Sequence, residues 1–157
     1  MTVHSALKRN RSIPPCAVIP VLGYTDVAAT VAWLCQAFGF VERLRIGAHR
    51  VQLLFGDGAV VISERRWAAG HAGTDANGTP ELGYSIMLRV GDADAHCDHA
   101  RSCGARIVSE PTDYPYGERQ YTAQDHEGHV WTFTQSVADV DPHSWGGELL
   151  VRDEVRP

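Results

Sequence analysis

The sequence predicts an α+β protein built from two β-α-β-β-β modules, at about residues 16–64 and 83–135. Three observations carry this. Each segment holds one helix of similar span, opened by an Asp and stopped by a Gly. One extended run precedes each helix, and three follow it. The order then repeats across a Gly-rich connector, and an internal duplication is its simplest account.

In the first module Ala17 to Leu22 reads as a strand, and Thr25-Asp26 can cap the helix behind it. Val27, Val31, Leu34 and Phe38 fall on one stripe of that helix, at spacings of four, three and four. Gly39 ends it. Val41 to Ile46, His49 to Phe55 and Ala59 to Ser63 are extended runs, the last two joined by the turn Gly56-Asp57-Gly58. The stretch "AAGHAGTDANGTPELG" is a linker or loop by composition. In the second module Tyr84 to Val90 is the leading strand. Asp92 caps a helix with Ala93, Cys97 and Ala100 on one face, and Gly104 stops it. Ala105 to Ser109, Arg119 to Gln124 and His129 to Thr134 are the following strands. The last two form a hairpin around Asp125-His126-Glu127-Gly128, with Asp first and Gly last. Residues 1–15 read as a flexible N-terminal arm, and 137–157 as a tail. There Asp141-Pro142 opens a short helix and Trp145 anchors it.

Composition bounds the function. The 157 residues are 44% hydrophobic and 21% charged, which is ordinary for one globular domain with a real core. A net charge of −5 argues against nucleic acid and anionic membranes as partners, and it tolerates a cationic ligand. No apolar run approaches the roughly 20 residues of a membrane helix, and "MTVHSALKRNRSIPP" has no apolar core of a signal peptide. Cys16, Cys35, Cys97 and Cys103 form no C-x-x-C pair, so reduced thiols and a cytoplasmic location are expected. His96 and His99 are expected to be solvent-exposed, because nothing nearby completes a metal set.

Three stretches, "IPVLGYTDVAATVAWLCQAFGF", "SIMLRVGDADAHCDHARSCGARIV" and the D-x-x-G-H-x-W-T-F hairpin, resemble the vicinal oxygen chelate superfamily over about residues 16–136. This is the glyoxalase/bleomycin resistance protein/dioxygenase fold. "YGER" and "DVDPHSW" resemble its PhnB-like subgroup. The resemblance implies a curled mixed sheet around a cavity, helices outside, and a homodimer with the cavity completed partly across the interface.

Strand parity then assigns faces, because side chains two apart share one. Trp131 and Phe133 pack beneath the helices, so Thr132 faces the cavity with Val130 and Thr134. The same alternation sends Ser85 and Met87, Val61 and Ser63, and Ile19 and Val21 to the cavity. Arg119, on the face of Tyr121, is expected to pair with a carboxylate or brace an interface. Metal-dependent relatives carry ligands at positions that match Ile19, Ser63, Ser85 and Thr132 here, and none of these four is a carboxylate or imidazole. No metal and no cofactor is therefore expected. The expected site is a ligand pocket of Ile19, Val21, Val61, Ser63, Trp67, Ser85, Met87, Tyr116, Gln120 and Thr132. It suits a metal-independent binding protein that sequesters an antibiotic or aromatic metabolite. The alternatives are a glyoxalase- or dioxygenase-like lyase or isomerase, and a structural dimer without a ligand. No nucleophile with an adjacent base favours the enzyme.

Overall fold

The computed structural model describes residues 7–65, 73–74, 80–81 and 84–150. The chain divides into two compact units, 1–81 and 82–157. The first holds β1 (Val21–Tyr24), helix α1 (Val27–Phe38), β2 (Val41–Ile46), β3 (Arg50–Phe55) and β4 (Gly58–Glu64). Its sheet runs β1-β4-β3-β2, with β1 parallel to β4 and the other pairs antiparallel. The short strands β5 (Gly73–Thr74) and β6 (Pro80–Glu81) pair within the connector. The second unit holds β7 (Ile86–Arg89), α2 (Ala93–Ser102), β8 (Arg106–Tyr114), β9 (Glu118–Gln124) and β10 (Val130–Ser136). Its order, β7-β10-β9-β8, again sets the leading strand parallel to the last. The matching orders are what a duplication predicts. Each module thus contributes one four-stranded mixed sheet, neither closed on itself.

Local chemistry explains the helices. Asp26 accepts from the Ala29 amide at 3.0 Å, and Asp92 from the Ala95 amide at 3.0 Å. Gly39 closes α1 at φ 90°, a conformation that costs a side chain but not glycine. The apolar stripe of α1 is buried through Val27, Val31, Leu34 and Phe38, that of α2 through Ala93, Cys97 and Ala100. In the second unit these meet Tyr121, Ala123, Trp131 and Phe133, all fully buried. Tyr121 and Phe133 stack at 5.0 Å. His96 departs from expectation. It is half-buried, and its Nδ1 shares a hydrogen bond with the Tyr121 hydroxyl, giving that buried oxygen a polar partner.

The two strand boundaries that moved furthest each did so for a reason involving proline. β1 starts at Val21 rather than Ala17, since Pro20 has no amide and joins the ladder only by its carbonyl, which accepts from Val61 N at 2.9 Å. β8 continues past Ser109 to Tyr114. Register shifts on both sides of Ser109 carry it through Pro111, tolerated on an edge strand.

Candidate ligand-binding site

One face of the second sheet is open and polar. Residues opposite one another across a ladder share a face, so Thr132 stands beside Met87 on β7 and Thr122 on β9. Next come Thr134 with Arg89 and Gln120, then Ser136 with Glu118. The face behind holds Trp131 and Phe133, both fully buried. Alternation of large and small residues on β10 thus does what parity requires. Met87 is 59% exposed and Ser85 is exposed, while Thr132, Thr122, Gln120 and Glu118 are half-buried.

The hydroxyls and carboxylate of this face are tied together. The Thr132 and Thr122 hydroxyls meet at 3.1 Å. Thr134 Oγ1 donates to Glu118 Oε1 at 2.6 Å, and Gln120 Nε2 donates to the same oxygen at 3.1 Å. Arg89 Nη2 donates to Ser136 Oγ at 3.1 Å. Arg119 points to the opposite face, where Asp94 and Asp113 accept from it at 2.9 and 3.0 Å. Those two carboxylates raise its pKa further above the arginine range.

An aromatic group flanks one end of the face. Tyr114 is the register partner of Glu118. Its ring stacks on Tyr116 at 5.3 Å and 15°, and Tyr116 meets the edge of Trp145 at 5.5 Å. The turn Tyr114-Pro115-Tyr116-Gly117 closes by a 3.1 Å bond from Gly117 N to Tyr114 O. Gly117 O then accepts from Val137 and Ala138 N, which draws the tail alongside. A Cβ at Gly117 would lie 2.1 Å from Ala138 O, so this approach requires glycine. Trp145 sits on the 3-10 turn Pro142–Trp145, capped by Asp141, and is 40% exposed. Burial first, then the charge of Glu118, pushes the Tyr116 hydroxyl pKa upward.

The first sheet is different. Val21, Val61, Ser63 and Gln52 share a face by register, as expected of the first three. Val21 is 41% exposed, but Val61 and Ser63 are buried to 2% and 1%, so this wall is covered. Part of the cover is the N-terminal arm. Gln52 Nε2 donates to Ser12 O at 2.8 Å, Arg43 donates to Gln52 Oε1 and to Arg11 O, and Pro14 is buried. Beneath it Ser63 Oγ is buried with no hydrogen-bond partner among the described residues. Ile19 is half-buried just before β1, and Trp67 lies outside the described residues. Sequence reasoning did not single out Gln52, Thr122 or Glu118, whereas Tyr114 and Tyr116, in a Pro-broken loop, were expected to stack on a planar ligand or to cover the core edge or a dimer contact. Parity would have found Thr122 and Glu118, each two residues from Gln120.

A bound metal finds no support in the donor set. Of the four positions matched to metal ligands, Ile19 has no donor and Ser85 offers only a neutral hydroxyl. The Ser63 hydroxyl is buried, and that of Thr132 is shared with Thr122. Among the described residues no three His, Cys, Asp or Glu side chains converge as a metal site would need. The residues present do not fit the family's divalent cation.

Comparison with known proteins agrees with the topology. The family model described as Glyoxalase/Bleomycin resistance protein/Dioxygenase superfamily matches residues 14–133. The chain belongs to this superfamily. Among solved structures, TioX from Micromonospora sp. ML1 is 33% identical, with a TM-score of 0.62 over 77% of this chain and 98% of TioX. TnmS3 from Streptomyces sp. CB03234, described as an antibiotic binding protein, shares the fold at 20% identity. Its TM-score is 0.60 over 85% of this chain and 99% of TnmS3. The uncharacterized protein Rv0887c of Mycobacterium tuberculosis is 28% identical over 134 residues, 80% of this chain and 77% of that protein. As a superfamily member this chain keeps both modules, and it carries hydroxyls or an aliphatic group at the positions matched to metal ligands.

Proposed function

We propose that the protein is a metal-independent small-molecule binder that sequesters an antibiotic or aromatic metabolite, and that it works in the cytoplasm. The observation carrying this is the open face of the second sheet. There Thr132, at a position matched to a metal ligand, is bonded to Thr122 beside exposed Met87. Such a face offers apolar area with a few oriented polar groups, as ligand sites do. Its hydroxyl nearest a carboxylate, Thr134 Oγ1 on Glu118, is buried and so is poorly placed to attack a ligand. The fold shared with TnmS3, described as an antibiotic binding protein, is in line with the same reading. Titration with flat aromatic antibiotics, followed by quenching of tryptophan fluorescence, tests it. Saturable quenching is the expected result, and none across a broad panel would refute the proposal.

Two further expectations go with it. Elemental analysis after growth in metal-supplemented medium should find no stoichiometric divalent cation, given Ile19, Ser63, Ser85 and Thr132. About one Zn, Ni, Mn or Fe per chain would sink that claim. The protein should also be a homodimer, since outer strands expose Val21, Val41, Ile46, Met87 and Val108, side chains that a second copy would cover. Light scattering at micromolar concentration decides this, and a clean monomer would contradict it.

A further inference from the structure

We propose that the open face of the second sheet takes a flat ligand bearing a protonated amine, received by Glu118 and stacked against Tyr114, Tyr116 and Trp145. The proposal rests on the small-molecule reading above and narrows its ligand class.

Glu118 is the reason. Its Oε1 already accepts from Thr134 Oγ1 and Gln120 Nε2, so the carboxylate is held in one orientation. A carboxylate accepts at about four lone-pair positions, and among the described residues no donor reaches Oε2. Nor does a cation among the described residues neutralise it. Arg119, its chain neighbour, belongs to Asp94 and Asp113 on the other face. Arg89, on the same face, places its Nη2 on Ser136 Oγ, and no ion pair between Arg89 and Glu118 forms among the described residues. A half-buried, oriented and unneutralised carboxylate is an acceptor awaiting a cation. A protonated amine answers it better than a neutral group, because charge-assisted hydrogen bonds are about twice as strong as neutral ones.

The aromatic group supplies the second contact. Tyr114 lies directly opposite Glu118 across the β8–β9 ladder, and its stack with Tyr116 and the edge contact to Trp145 make a small wall of π surface. Tyr114 and Trp145 are 36% and 40% exposed, so part of this surface is free to meet a ring. Such faces attract both flat rings and cations. Burial first, and then the nearby charge of Glu118, push the Tyr116 hydroxyl upward, so the carboxylate lies close to this wall. The net charge of −5 adds a field of the right sign.

The test uses two probes of one ring system at neutral pH, 9-aminoacridine as the cation and acridine as the neutral partner. Binding is measured by titration calorimetry on the full chain, for the wild type, Glu118→Gln and Tyr116→Leu. The wild type should bind 9-aminoacridine about tenfold more tightly than acridine. Glu118→Gln should erase that preference, bringing the two probes to equal affinity. Tyr116→Leu should weaken both probes together. If acridine binds but Glu118→Gln changes neither affinity, or if the wild type shows no preference, the cation assignment falls and the binding reading stands. If neither probe binds, both fall. Should Glu118→Gln fail to fold, added salt on the wild type decides: it should weaken 9-aminoacridine and spare acridine, and equal behaviour would overturn the proposal.

Discussion

Replacing Trp131 by Ala should cost about 3–5 kcal/mol of folding stability, the range for deleting a large buried aromatic. Trp131 is fully buried on β10, and its Nε1 donates to Asp125 Oδ2 at 3.1 Å. Asp125 Oδ1 meanwhile accepts from the Glu127 and His129 amides, both at 3.1 Å, so one carboxylate joins the hairpin turn to the core. The substitution removes the ring and withdraws a donor from a buried acceptor. Trp131→Phe separates the two effects. It keeps much of the apolar volume and loses the indole N–H, at about 1.5–3 kcal/mol for a bond to a charged group. Urea unfolding of the two variants beside the wild type measures both. A Trp131→Ala protein as stable as the wild type would show that the packed face has been misassigned.

Thr132→Trp should do the reverse, sparing stability and removing ligand binding. Its side chain stands on the open face beside Met87, and its only described bond is to the Thr122 hydroxyl. Loss of that bond costs about 0.5–1.5 kcal/mol, while the indole finds room on the exposed side. The same indole would occupy the surface on which a flat ligand lies. Affinity for any aromatic ligand of the wild type should fall by about a hundredfold or more, about 2.8 kcal/mol at 1.4 kcal/mol per factor of ten. The ligand titration and a thermal melt are read together. If Thr132→Trp unfolds the chain while Trp131→Ala is silent, the two faces of β10 are exchanged. The argument from missing metal ligands would then lose its alignment, since a one-residue slip moves every side chain to the other face.

The sequence by itself determined the two modules, because their signals are short-range. An Asp cap, a stripe at helical spacing and a closing Gly act within one helix, and α1 and α2 begin behind Asp26 and Asp92 as those signals require. The contrast between Trp131, Phe133 and the threonines between and after them determined which face of β10 is buried. Arg119 was legible too, as a charge on the helix side in need of carboxylates.

What covers a face is decided elsewhere in the chain. Val61 and Ser63 alternate as an open wall should, yet both are buried. Part of the cover hangs on Gln52 bonding the carbonyl of Ser12, 40 residues away, and no periodicity on β4 encodes it. The polar partner of Tyr121 is likewise His96 on a different element, and the wall beside Glu118 needs Trp145 brought back through Gly117. Periodicity reports how a strand divides its own side chains between two faces. Only the folded chain sets distant segments against those faces. So Ser63 is closed in and Thr132 stays open, though both entered as hydroxyls at metal-ligand positions.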